Sequence, residues 1–156
     1  MLIKPEACRG CPMYQEGVGF VPDEIVPGAT VFVLGQNPGE DEEEEGRPFV
    51  GKTGQAMIST YFPAAGLLRG ENVSIGNVLR CRLWEWSPKF KKKMGTNNLP
   101  KGKVLEKSIR HCSEAYLKIP ESTKLVVAQG GLAVKALRPD KKFNITDWRG
   151  FLLPCM

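Results

Sequence analysis

The chain has 156 residues, 42% hydrophobic and 25% charged, the balance of an ordinary globular domain with a core of its own. No apolar run is long enough to span a bilayer and MLIKPEACRG lacks the apolar stretch of a signal peptide, so membrane and secretory classes are set aside and a cytoplasmic setting, bacterial or viral, is expected. The net charge of +5 fits phosphate-bearing partners without requiring them.

Residues 1–28 read as loop, with Pro5, Pro12, Pro22, Pro27 and scattered glycines. Thr30 to Leu34 is a short apolar run closed by Gly35, which predicts a buried strand of a parallel sheet. A polar, glycine-rich loop is expected through Gly54, most of its acidic run Glu40–Glu45 being solvated. Met57, Ile58, Tyr61, Phe62 and Ala65 are spaced for an amphipathic helix from Gln55 to Leu68, which Pro63 should end or kink. Val73 to Leu79 predicts a second strand, and residues 80–102 an irregular stretch. Lys103 to Leu117 predicts a helix with Leu105, Ile109, Cys112 and Tyr116 near one face. Lys124 to Ala128 predicts a third strand, and Gly130-Gly131 opens a short helix through Leu137. Residues 141–156 read as a loop leading into a last extended piece. Strands alternating with helices imply an α/β layered fold with a parallel sheet. Ligands of such sheets bind beyond the carboxyl ends of the strands, here the loops after Leu34 and Leu79.

There are five cysteines, Cys8, Cys11, Cys81, Cys112 and Cys155. An odd count with a leading C-x-x-C and no secretion signal points to metal or redox chemistry rather than disulfides. A structural Cys₄ zinc site and an iron–sulfur cluster both fit the residue count. His111, the sole histidine, adjoins Cys112 and is expected on the surface or behind a ligand. Trp84, Trp86 and Phe90 are interleaved with Lys89, Lys91, Lys92 and Lys93. That mixture suits a DNA backbone and exposed bases; packed tryptophans beside solvated lysines account for it as well. The absence of a G-x-G-x-x-G or Walker pattern disfavours a nucleotide-binding flavodoxin-like domain.

Gly35-Gln36-Asn37-Pro38-Gly39 leaves the first strand, where glycine permits close backbone approach and proline stiffens the turn. With its continuation, an acidic stretch and then Gly46-Arg47-Pro48-Phe49-Val50-Gly51-Lys52-Thr53-Gly54, it resembles the active-site signature of type-4 uracil-DNA glycosylases, G-E-x-P-G followed by G-R-P-F-V-G-x-A-G. Gly46 to Gly51 matches residue for residue. Gly76-Asn77-Val78-Leu79-Arg80-Cys81-Arg82 resembles the family's T-N-x-V-K-C-R block, Val126 to Ala133 its later strand and glycine turn, and Ile145 to Gly150 its I-x-x-x-R-G segment. The likeness runs from Cys8 to Gly150.

The resemblance implies a three-layer α/β/α sandwich around a central parallel sheet, as one domain over residues 1–156. It also implies a [4Fe–4S] cluster on Cys8, Cys11, Cys81 and Cys112, in preference to zinc, and leaves Cys155 without a ligand role. The implied activity is hydrolysis of the glycosidic bond of uracil in DNA by a monomer, with a replication or repair protein as a candidate partner and no membrane association. The alternative is a glycosylase-like module that binds DNA or protein without catalysis. By position, Asn77 would bond the uracil edge, Phe49 would stack on the base and Glu42 would lie near C5 and exclude thymine. Gln36 and Asn37 would form the water-activating corner. Relatives usually carry glutamate and a small residue there; G-Q-N-P-G is closer to the G-I-N-P-G of mismatch-specific glycosylases, so Asn37 is expected to position the water through its amide oxygen. Relatives continue past the R-G segment into a strand and an H-P-S or H-P-A loop that Phe151–Met156 does not supply. Weak activity favouring single strands is therefore expected of residues 1–156 alone.

Overall fold

The computed structural model describes residues 3–15, 17–96, 98–140, 146 and 150, with backbone only for 17–18, 83–87 and 92–96. The expected last extended piece, Cys155 and most of Ile145–Gly150 lie outside them.

In chain order the elements are β1 (Gly17–Val18), β2 (Val31–Gly35), α1 (Glu40–Glu45), α2 (Lys52–Ala56), α3 (Phe62–Ala64), β3 (Val73–Asn77), β4 (Arg82–Ser87), β5 (Lys92–Thr96), α4 (Lys103–Tyr116), β6 (Leu125–Ala128) and α5 (Gly131–Leu137). The central sheet is parallel throughout, in the order β3-β2-β6. β2 lies in the middle, and alternation along it builds two cores. Phe32 and Leu34 pack with Ile109 and Cys112 of α4 and with Leu132 and Ala133 of α5. Val33 faces the other way, with Met57, Phe62 and Phe49. Helices thus cover both faces of the sheet, and the fold is the α/β/α sandwich. Phe32 and Leu34 are 0% exposed, and each contributes roughly 1.5–3 kcal/mol by leaving water.

Several sequence expectations are corrected. The acidic run is the helix α1, not a loop. Four of its six acids sit in the first turn, where the helix dipole favours them, and Gly46 at φ 69° closes it in the left-handed conformation. Glu43 is buried and meets Arg82 at 3.4 Å, which relieves the like-charge repulsion that makes the run look solvated. The next helix begins at Lys52, because Gly51 ends the preceding loop. It also runs through Pro63: residues Met57–Tyr61 widen into a π turn, with Phe62 N–H reaching back to Met57 O. That extra residue per turn accommodates a proline that lacks an N–H and would strike a carbonyl of the preceding turn. Within residues 1–28, Glu6–Gly10 is a 3₁₀ turn and β1 pairs with β4. The irregular stretch 80–102 contains the hairpin β4–β5, with Leu83 opposite Thr96 and Ser87 opposite Lys92. Its turn, Pro88–Lys91, has no glycine to announce it, and Lys91 takes the left-handed conformation instead (φ 49°).

Candidate functional site

β2 and β3 end side by side, Gly35 opposite Asn77. Past that pair the chains stay tied, with Val78 N–H bonded to Gly35 O at 3.0 Å and Leu79 N–H to Gln36 O at 2.9 Å. Beyond the strand ends opens a cleft of about 830 Å³ lined by Gln36, Asn37, Glu42, Phe49, Asn77 and Gln129, among others. Its volume suits a small organic ligand. All five sequence-predicted pocket residues line it, drawn from four separate stretches of chain.

Gly35 is the hinge of the arrangement. A Cβ there would strike Asn77 Oδ1 and would lie 2.8 Å from the Phe49 ring. The backbone of β2 therefore forms a floor on which an amide and an aromatic ring meet. Asn77 is 4% exposed, and among the described residues no hydrogen bond takes up its carboxamide, so donor and acceptor are both available. Asn37 donates its amide N–H to Pro38 O at 3.0 Å, which leaves Oδ1 as its acceptor. Gln36 is exposed and lies over Gly130, where a Cβ would sit 3.2 Å from its side chain.

Glu42 lines the cleft, but its carboxylate is engaged. Oε2 accepts from Gly39 N–H at 2.8 Å, and Oε1 accepts from Val50 and Gly51 N–H at 3.0 and 2.8 Å. It joins the two rims of the cleft. Gly51 is closely surrounded: a Cβ there would lie 3.0 Å from Asp41 Oδ2 and 3.2 Å from Glu42 Oε1. The sequence points to Glu42 through its place in a motif; its three backbone donors are visible only in the fold.

The predicted cysteines form a second region. Cys8 and Cys11 come from the N-terminal 3₁₀ turn, Cys81 from the exit of β3 and Cys112 from α4, and all four line one small void with Lys4, Arg80, His111 and Tyr116. Burial pushes the Cys81 thiol up to about 12 and the Cys112 thiol up to about 11. Lys4 opposes the shift at Cys81; at Cys112 the Arg80 backbone N–H and the Arg80 charge oppose it. Four thiols around one void, Cys112 buried and the others half-buried, beside two cations are a donor set suited to a group that takes thiolates and carries their charge inward. No group of three such ligands among the described residues closes on a single ion; the thiols surround a space rather than a point. Cys8 Sγ lies 3.1 Å from Tyr116 Oη, whose ring packs edge-on to Phe20 at 5.1 Å. His111 belongs to this region: Nε2 is 2.8 Å from Ala7 O, and the ring fills the space that a Cβ on Gly10 would need.

A buried ion pair unseen in the sequence connects the two regions. Asp23 Oδ2 accepts from Arg80 Nη2 at 2.6 Å. Arg80 is 2% exposed, next in sequence to Cys81. Burial pushes the Asp23 carboxyl up to about 6 against the opposing Arg80 charge. Of the aromatic and basic segment, Phe90 is 54% exposed at the hairpin turn with Lys89 Nζ 5.2 Å from its ring centre. The side chains of Trp84, Trp86, Lys92 and Lys93 lie outside the described residues.

The profile of the Uracil DNA glycosylase superfamily matches residues 22–155. A type-4 uracil-DNA glycosylase of Thermotoga maritima is 29% identical over 143 residues, 92% of this chain and 67% of that protein. Those of Sulfurisphaera tokodaii and Archaeoglobus fulgidus are 40% and 38% identical over 76 residues, 49% of this chain and 34% and 37% of theirs. The matches thus span between one third and two thirds of the relatives' own length.

Proposed function

The chain belongs to the Uracil DNA glycosylase superfamily, and from that premise we propose that it removes uracil from DNA by hydrolysing the bond between the base and deoxyribose. The observation that carries this reading is the meeting of Asn77, Phe49 and Asn37 around Gly35 at the strand ends. A base has a hydrogen-bonding edge and a flat face. Asn77 offers a donor and an acceptor to the edge, and Phe49 offers its ring to the face. Such a base must leave the helix to enter the cleft.

In the reaction the C1′–N1 bond breaks with its electron pair leaving on uracil, and a water oxygen bonds to C1′ and loses its proton to solvent. The departing anion draws on the Asn77 amide N–H. Asn37 accepts from the water through Oδ1 and orients it; an amide is no strong base, and a cationic sugar needs little nucleophile activation. Glu42 shapes the C5 side by fixing Gly39 and Gly51, and Gln36 covers the mouth. The sole histidine of the sequence, His111, lies in the cysteine region and takes no part.

Cys8, Cys11, Cys81 and Cys112 would hold a [4Fe–4S] cluster, whose contribution is to cross-link the N-terminal turn, the exit of β3 and α4.

The test is uracil release from a labelled oligonucleotide, single-stranded and duplex, by the parent, Phe49→Ala and Asn77→Ala. Release should fall by the equivalent of about 1–3 kcal/mol when the stacking ring is lost, with melting temperatures near the parent's. Binding without release by the parent would instead favour a non-catalytic module. Parental rates in both variants would mean that the cleft has been misread.

A further inference from the structure

The loop that carries Phe49 is held from behind by charges. Phe49 itself stands at φ 57°, a left-handed conformation that a bulky side chain adopts only when its surroundings impose it. Those surroundings are specific. Arg69 donates from Nη1 to Phe49 O at 3.1 Å and from Nη2 to Pro48 O at 2.6 Å. Its Nε and Nη2 also meet Glu24 Oε2, each at 2.7 Å. All three guanidinium nitrogens are thus engaged, and the side chain is 13% exposed.

Glu24 is the fixed end of this chain of contacts. It exchanges both backbone hydrogen bonds with Ile75 of β3, at 2.8 and 2.9 Å. Its second oxygen, Oε1, takes Arg47 Nε and Nη2, each at 2.7 Å. One carboxylate therefore grips the Gly46–Phe49 loop twice, directly through Arg47 and through Arg69 onto two carbonyls. From the opposite side, helix α2 closes on the same point: a Cβ on Gly54 would run into the Phe49 carbonyl. A guanidinium fork suits this task because its donors are coplanar and rigid; a lysine would offer one point of contact.

We propose that Arg69 and Glu24 are positioning residues for the base-stacking face: they hold Phe49 left-handed so that its ring lies over Gly35 beside Asn77. The proposal rests on the reading of the cleft as a uracil pocket. Neither residue touches the cleft, so both act only through Phe49.

That dependence makes a double-mutant cycle decisive. Affinity of the full chain for free uracil is measured in the parent, Arg69→Met, Phe49→Ala and the double variant, with melting temperatures alongside. Arg69→Met should weaken uracil at least about fivefold, the lower end for a lost stacking contact. In the Phe49→Ala background the same change should cost about twofold or less, the usual margin of additivity, and Arg69→Lys should fall between. The melting shift should be alike in both backgrounds. Equal losses of affinity in both, or unchanged affinity in Arg69→Met, would overturn the proposal. If Arg69→Met does not fold, the cycle run with Arg69→Lys decides by the same criteria. If the parent binds no uracil, the pocket reading fails, and the clamp is judged alone by the Phe49 Cα and Cβ chemical shifts. Those should move from left-handed toward extended values in Arg69→Lys, and unmoved shifts would refute the clamp.

Discussion

The cleft and the cysteine-lined void begin four residues apart, at Asn77 and Cys81, yet they are built by opposite means. The cleft is completed by the protein itself. Its glycines clear space, Glu42 and Arg69 satisfy the backbone of its rims, and the Asn77 carboxamide and the Asn37 amide oxygen keep their hydrogen bonds unspent. The void is different: four thiols converge on it, burial makes the protons of Cys81 and Cys112 hard to remove, and the charges of Lys4 and Arg80 oppose that shift. A region of the first kind is formed before its ligand arrives. One of the second kind is finished only by the group it binds, so its binding energy is folding energy.

The largest effect should follow from cutting the cysteine region. Cys81→Ser or Cys112→Ser should abolish a brown colour absorbing near ~400 nm and make the chain insoluble, because a structural metal group supplies on the order of 10 kcal/mol. Iron and sulfide analysis after anaerobic purification checks it. A fully stable, colourless serine variant would erase the contrast, and stoichiometric zinc without iron would replace the cluster with a zinc site.

Gly35→Ala should do the reverse. Its Cβ meets Asn77 and the Phe49 ring, so uracil release should fall about 10²-fold through displaced groups, while overpacking costs about 1–3 kcal/mol of stability. Denaturant titration beside single-turnover release separates the two. If stability collapses along with activity, the cleft is not independent of the core.

The smallest effect lies in the ion pair between the regions. Asp23 rises from 3.8 unfolded to about 6 folded, so the folded state holds the extra proton in that window. Its contribution to stability is complete below about pH 4 and is lost as pH rises through about 6. The stability of the parent relative to Asp23→Asn, followed by denaturant midpoint from pH 4 to 7, should therefore decline. A rise would show that the Arg80 charge outweighs burial.

Local pattern was enough for the elements of the central sheet. β2 is an apolar run that ends at glycine, β3 alternates Val73 and Ile75 before Asn77, and α4 shows its core-facing stripe as Leu105, Ile109 and Cys112. Pattern failed where a distant partner decided. Most of the acidic run is solvated as expected, but its helix and the burial of Glu43 against Arg82 of β4 do not show in the sequence. The hairpin hides because its turn lacks glycine and its first strand pairs with the two residues of β1. Pro63 reads as a helix end because a π turn leaves no signature in composition.

The same division holds in the site. Gln36, Asn37, Phe49, Asn77 and the four cysteines were legible because the motifs tie each to a strand end, a loop or turn, or, for Cys112, the helix α4. Sequence alone determined the sheet, the residue types at its carboxyl edge and the four thiols. Only the tertiary structure decided that Gly35 lets an amide and a ring share one floor, that Glu42 spends its charge on backbone, and that Glu24 and Arg69, 45 residues apart, grip the loop of Phe49. The reason is physical: a strand or a helix follows from neighbours along the chain, whereas a hydrogen bond between remote groups exists only once the core has brought them within reach.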